Sequence, residues 1–407
     1  MSSRAQIDAL VLDGNLRQSL VTTRSLGQAG LRVGVVEVHP HAPALRSRWC
    51  TAGGVVSDRS GERDAFVDDV IAFATDHDAK VIITSHDGSI EALRPRRDEV
   101  ERHARLALAS EAALTVAVDK RRTLELAKRL GVGVPRSVEI GAESEVAAAV
   151  GEVGLPAVVK PVTSWVWAAA GSRLVCACVT TPREAVDAVR RIVERGGRAL
   201  LQEWVDGQRE AVSLLRAESR VWARFAQLAH RMQPPLGGVS VLRESIPVPR
   251  DIGTWAEELL DAMDLDGYAE IEFRRDRAGR GRLMEVNPRL SASVEVAVRA
   301  GVDFPRLLYA WAAGEPLRAV AGYRVGYRMR WLGGELQWLR ETLRTQGRPD
   351  VSPRSRAIAA VVHDTLRPAG YDYLDRRDLR PALTATGAFL ARRLPQRRHR
   401  RLEVVAP

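Results

Sequence analysis

The chain has 407 residues, 45% of them apolar, enough for two or three domains and an ample core. Its formal charge is +10, but no zinc-finger spacing or RNP-like aromatic motif accompanies the excess, which argues against a nucleic-acid reader. No apolar run reaches the ~20 residues of a membrane-spanning helix, and three cysteines without a CxxC pair argue against a disulfide framework.

The first residues enter a strand-like run with no secretory core, so the chain is expected in the cytoplasm. Residues 9–12 read as a short strand, 19–29 as a helix stopped by Gly30, and 31–37 as a second strand. With a later strand at 80–84 they make a βαβ pattern and a parallel sheet. Gly14 belongs to no GxGxxG, which gives a dinucleotide site little support.

The pattern changes near Ser110. One helix is expected over 114–130, ended by Gly131, and another over 143–153, ended by Gly154. Residues 155–161 form a strand carrying Lys160. The small-residue stretch 168–172 interrupts regular structure. Cys176 and Cys178 then alternate on one face of the strand 173–179. After a helix at 184–194, the strand 199–205 closes on Asp206-Gly207, and a strand over 210–215 follows at hairpin distance. Residues 230–240 are rich in glycine and proline and read as a shaped loop. Beyond Pro316 the chain is Arg-rich, with a strand expected in 322–331 and an amphipathic helix in 374–394. The charge run Arg397-Arg398-His399-Arg400-Arg401 reads as a solvated tail.

Two strand-like segments carry the chemistry, 269–273 and 282–289. Residues two apart on a strand share a face, so Glu285, Asn287 and Arg289 project together, and Glu272 joins them from the neighbouring strand. Two carboxylates and an amide oxygen are hard ligands suited to Mg²⁺ that also holds nucleotide phosphates. Without such a cation, clustered carboxylates repel and their burial is costly. Glu270 is assigned to the face opposite Glu272 as long as the strand is regular, a choice that a bulge would upset. Lys120 and Lys160 are compact cations suited to phosphate oxygens.

Taken in order, Asp119-Lys120, Val158-Val159-Lys160-Pro161, Gln202-Glu203-Trp204-Val205, Glu210, Ala269-Glu270-Ile271-Glu272-Phe273 and Glu285-Val286-Asn287-Pro288-Arg289 resemble the ATP-grasp superfamily over residues 118–314. The resemblance implies an α/β and α+β fold. A pre-ATP-grasp α/β domain would span 1–108 and a two-subdomain ATP-grasp domain 109–318, with its lid subdomain at about 120–198. A basic C-terminal extension would follow at 319–407. It also implies that Lys120 and Lys160 touch ATP phosphates, that Gln202, Glu203, Trp204 and Val205 bind the adenine edge, and that Glu210 accepts from the ribose hydroxyls. Glu272, Glu285 and Asn287 would hold two Mg²⁺ ions, with Mn²⁺ as a substitute, and Arg289 would face the transferring phosphoryl group. Lys160 and Arg289 are the catalytic candidates.

The sequence departs from the Gly-rich lids of the family in carrying Trp165 and Trp167 between Thr163 and Arg173. Arg231 is assigned to a substrate carboxylate or phosphate, and His230 a plain polar role. No GxxxxGK[ST] supports a P-loop enzyme. The activity implied is ATP-dependent ligation of a small-molecule carboxylate to an amine through an acyl phosphate. The alternatives are a bicarbonate-activating or carbamoyl-phosphate-type enzyme and a non-catalytic ATP-binding regulator. A homodimer and a weak contact of the basic tail with anionic membranes complete the expectations; no nucleic-acid partner is expected.

Overall fold

The computed structural model describes residues 5–167 and 172–391. Its first five strands, β1 (Ala9–Val11), β2 (Val33–Glu37), β3 (Cys50–Val55), β4 (Val81–Ile83) and β5 (Arg105–Leu106), form one parallel sheet in the order β3-β2-β1-β4-β5. Every residue of β1, β2 and β4 is buried, as short β-branched runs are when helices cover both faces of a parallel sheet. The strand order reverses between β1 and β4. That reversal opens a crevice at the C-terminal ends of the strands.

A second, four-stranded antiparallel sheet follows. Its strands are β6 (Ser137–Ile140) and β7 (Ala157–Pro161), then, after a small pair β8 (Trp165–Val166) and β9 (Ser172–Arg173), β10 (Ala177–Val179) and β11 (Ala199–Glu203), in the order β10-β7-β11-β6. The helices Val146–Val153 and Pro182–Val193 cover one side, packing Val153, Ala188 and Ile192 onto Ile140, Val159 and Leu201. The longer helix starts where its sequence says it should: Thr181 accepts from the Glu184 N–H at 3.3 Å and Pro182 fills the first turn. With the odd residues of β7 in that core, the pleat turns Lys160 to the other side, together with Gln202 and Cys178.

The largest sheet has seven strands. They are β12 (Arg209–Ala217), β13 (Arg220–Gln233), β14 (Val239–Ile246), β15 (Gly267–Arg275), β16 (Gly281–Asn287), β17 (Arg328–Arg330) and β18 (Gly370–Tyr371), in the order β16-β15-β12-β13-β14-β17-β18. The hairpin expected from 199–205 and 210–215 does not form. β11 pairs with β6 and β7, and β12 with β13 and β15, so residues 204–208 connect two different sheets.

The single helix expected over 114–130 is two, Glu111–Ala117 and Lys120–Arg129. Asp119 breaks it because its carboxylate accepts from the Arg122 N–H at 3.0 Å and caps the second helix. Towards the C-terminus the strand expected in 322–331 narrows to β17, and the expected helix is Arg380–Ala391. The Ala/Gly stretch 168–171 and the basic tail from residue 392 lie outside the described residues. Among the described residues no helix is long and apolar enough to cross a membrane.

Candidate active site

The β15–β16 register pairs Glu272 with Glu285 and Glu270 with Asn287. All four side chains therefore leave one face of the sheet. The assignment of Glu270 to the opposite face is corrected here: residues two apart share a face, and the register shift comes only after Glu272, where Met284 is the extra residue of β16. Glu270 is 2% exposed and accepts from Gln227 Nε2 at 2.8 Å and from the Ser213 and Ser293 hydroxyls at 3.4 Å. Glu272 accepts from Arg209 Nη1 at 2.9 and 3.0 Å. Burial, with added repulsion from Glu285 and Glu270, outweighs that guanidinium and pushes the Glu272 carboxyl up to about 7. Glu285 moves the other way. Burial raises it, but Lys120 and Lys160 together hold it below the usual carboxylate range.

The cations arrive from three directions. Lys120 opens the helix Lys120–Arg129, lies 6% exposed, donates to Ser164 Oγ at 3.1 Å and sits 3.9 Å from Glu285. Lys160 reaches across from the second sheet to within 3.9 Å of Met284 Sδ, and burial lowers its pKa. Arg289 forms two hydrogen bonds with Asp87, the first residue of the helix Asp87–Leu93. A pocket at this junction is lined by Asp87, Lys120, Ser164, Trp165, Glu285 and Asn287. Lys120, Lys160, Glu272, Glu285, Asn287 and Arg289 thus converge where the first and second sheets meet the third.

The connection 202–205 is mixed. Gln202 is 1% exposed and its Nε2 has no partner among the described residues. The Glu203 carboxylate turns to Arg136 at 2.7 Å, the Trp204 ring lies 5.0 Å beneath the Arg274 guanidinium, and the Val205 carbonyl accepts from Arg274 at 3.1 Å. Gly207, at φ +123°, lets the backbone pass so close that an added Cβ would lie 2.2 Å from the Arg275 carbonyl oxygen. Gly207→Ala is therefore expected to lower stability by about 1–3 kcal/mol, read as a fall in the urea midpoint; an unchanged midpoint would refute the close approach.

Two expected residues are not brought to this face. Glu210 follows Arg209 and so points to the opposite side of β12, where Arg275 donates to it at 2.8 Å. A ribose role for it is corrected by that parity. Arg231 is 7% exposed, bonded to Glu335 at 2.6 Å and to Asp364, and its guanidinium lies 5.0 Å from the Trp338 ring. It fastens the helices Leu332–Arg344 and Arg354–Thr365 to the sheet rather than meeting a substrate. His230 meets Glu244 at 2.9 Å. Arg209, Asp87 and Gln227 are the residues that the motifs did not announce. The only sequence signal for Arg209 is its parity with Ala211, which becomes informative once β12 is known to pair with β15.

Among the described residues, no three or more His, Cys, Asp or Glu side chains gather in metal-binding geometry. The oxygen donors available are Glu272, Glu285 and the Asn287 amide, and Asn287 Nδ2 donates to Glu285 at 3.2 Å. The raised pKa of Glu272 marks negative charge that its protein neighbours leave under-compensated, a fit to a hard dication.

A family described as "ATP-grasp in the biosynthetic pathway with Ter operon" matches residues 179–335. The chain is 28% identical over 216 residues to the D-alanine–D-alanine ligase of Pseudomonas entomophila, an alignment covering 49% of this chain. It spans only 64% of that relative's own length. Among solved structures, a biotin carboxylase–β,γ-ATP complex from Campylobacter jejuni superposes with a TM-score of 0.64 at 17% identity, covering 79% of this chain and 74% of that one. An L-amino acid ligase from Bacillus licheniformis gives 0.58 at 16% identity, covering 77% and 76%. At these identities the structural likeness is one of fold.

Proposed function

The chain belongs to the ATP-grasp superfamily, and from that premise we propose that it is an ATP- and Mg²⁺-dependent ligase joining a small carboxylic acid to an amine. The observation carrying this reading is the convergence of Glu272, Glu285 and Asn287 from one sheet face with Lys120, Lys160 and Arg289 from three other segments. The relatives' printed names, a D-alanine–D-alanine ligase and an L-amino acid ligase, support the reaction class.

In the reaction a substrate carboxylate oxygen attacks the γ-phosphorus, the bond to ADP breaks and an acyl phosphate forms. The amine nitrogen then attacks the carbonyl carbon, phosphate leaves with the bonding electrons, and the amine gives up a proton. Such chemistry demands positioning and charge neutralisation rather than a protein nucleophile. Lys120 and Lys160 hold the phosphate oxygens, and Arg289 steadies the charge of the transferring group. Residues 202–205 frame the adenine, with Gln202 Nε2, which has no partner among the described residues, on the cleft side. Glu272, Glu285 and Asn287 would hold Mg²⁺, one ion or two, with Mn²⁺ as a substitute; bound there, the metal supplies charge neutralisation at the phosphates.

In the present arrangement most of these charges already have a protein partner, Lys120 with Glu285, Arg209 with Glu272 and Arg289 with Asp87. The pocket holds about 40 Å³. Nucleotide therefore enters when the sheet carrying Lys160 withdraws from β16. The domain limits 1–108, 109–318 and 319–407 form part of the proposal, as do the cytoplasmic setting and a homodimer; the separate first sheet supports the first limit, whereas β17 and β18 carry the largest sheet across the second.

The test is Mg²⁺-dependent ADP formation by the full chain, measured across pools of amino acids and small carboxylic acids. Stimulation by one acid–amine pool, with amide product detected by mass, is expected. Tight Mg-ATP binding without turnover in any pool would favour a regulator, and no ATP binding would end the ligase reading.

A further inference from the structure

Beside the carboxylate face lies a second cavity, of about 490 Å³, lined by Arg59, Ser60, His86, Trp165, Arg173 and Arg195. No carboxylate stands among its lining residues. His86 follows β4, one of the two strands flanking the reversal of strand order, where open α/β sheets take their ligands, and Arg59, beyond the edge strand β3, reaches the same end of the sheet by meeting Asp13, just past β1. Arg173 belongs to β9, and Arg195 lies just past the helix Pro182–Val193. Three guanidiniums from separate segments of the chain thus line one space.

Most of the described arginines lie within ion-pair distance of a carboxylate. Of the three here, only Arg59 has such a partner. Arg59 Nη1 lies 3.3 Å from Asp13, and its Nε has no partner among the described residues. Neither Arg173 nor Arg195 forms an ion pair among the described residues, although Arg173 lies near enough to Asp87 to help lower its pKa and Arg195 donates to the Arg191 carbonyl at 3.0 Å. Burial holds the His86 imidazole down at about 4, leaving it neutral and able to act as a hydrogen-bonding wall. Like charges gathered around a cavity repel unless an anion joins them, and planar guanidiniums match the oxygens of phosphate and carboxylate.

The two cavities share Trp165, whose ring lies 5.4 Å from His86. The neighbouring residue, Asp87, lines the first cavity and holds Arg289. A molecule anchored in the second cavity can therefore present its other end to the first. We propose that the substrate of this enzyme carries an oxyanion, a phosphate ester or a second carboxylate, which Arg59, Arg173 and Arg195 hold while its reacting end meets Arg289 and Glu285. This inference rests on the ligase reading and narrows its substrate class.

The experiment is calorimetric titration of the full chain, saturated with Mg-ADP and separately without nucleotide, using O-phosphoserine, glutamate, serine and glutamine. At least one anionic probe is expected to bind while serine and glutamine do not, and the tighter anionic probe identifies the source of the oxyanion. The double substitution Arg173→Ala with Arg195→Ala is expected to weaken that binding at least tenfold and to leave Mg-ADP affinity within twofold. Neutral probes binding as tightly as anionic ones, no anionic probe binding, or an unaltered affinity in the double variant would each overturn the assignment. If wild-type protein fails to bind Mg-ADP, the ligase reading falls, and the nucleotide-free titration still decides the anion site.

Discussion

Glu285→Gln is expected to reduce ADP formation by about a thousandfold or more while the chain stays folded. Glu285 is where the two halves of the site meet electrostatically. It faces Glu272 across the β15–β16 pair, accepts from Asn287 at 3.2 Å and answers Lys120 at 3.9 Å. Gln keeps the volume and removes the charge. Lys120 and Lys160 then lose their common counter-charge, and Lys160, already lowered by burial, gives up its proton more readily. The variant would lack a carboxylate for the metal and the counter-charge that Lys120 and Lys160 share. Steady-state ADP release on the pool that stimulates wild type, together with thermal unfolding, checks this. Turnover within tenfold of wild type in a folded variant would remove Glu285 from the catalytic machinery.

Glu285 and Asn287 could be read from the sequence because a strand encodes its own parity, and Glu272 joins their face through the register of the adjacent strand. Lys160 was legible for the same reason: the apolar residues alternating with it are those that pack under the helices of its sheet. What failed were pairings between distant strands. Arg209 meets Glu272, 63 residues later, only because β12 lies beside β15, and nothing local announces that order. Glu210 was misplaced by one residue, which in a strand is a change of face. The hairpin reading of β11 and β12 failed likewise, since a short connection containing Asp-Gly serves a change of sheet as well as a turn. Asp119 was quoted as part of a motif, yet its capping role, which ends one helix and begins another at Lys120, was there to be read.

The basic C-terminal region shows how composition can mislead. Its buried carboxylates are partners of arginines of the region itself and of the sheets they touch, as Asp364 with Arg328 and Arg231, and Glu335 with Arg330, illustrate. Two of its strands, β17 and β18, extend the largest sheet, so the region closes the edge of that sheet instead of trailing from it.

Asp372 gives this its sharpest test, because Asp372→Asn is expected to cost about 3–5 kcal/mol of stability. Its side chain is 1% exposed and bonds both Arg17, from the helix Arg17–Gln28 of the first sheet, and Arg243, on β14 and fully buried. Its N–H also donates to the Arg330 carbonyl at 2.9 Å. Three parts of the chain are joined at one carboxylate. Burial alone would raise its pKa, but the Arg243 and Arg17 guanidiniums outweigh that and hold it below its unfolded value of 3.8. An acid held low in the folded state stabilises above its unfolded pKa and loses that contribution as pH falls through the folded one. The gap in urea-unfolding free energy between wild type and variant should therefore be widest near neutrality and narrow on acidification below 3.8. Amide replacement leaves Arg17 and Arg243 sharing a neutral acceptor, with Glu295, whose pKa burial and then Asp372 raise, as a carboxylate that also feels Arg243. A loss under about 1 kcal/mol, the scale of an exposed ion pair, would mean that the C-terminal region rests on the sheets by packing and that this junction is not what fixes it there.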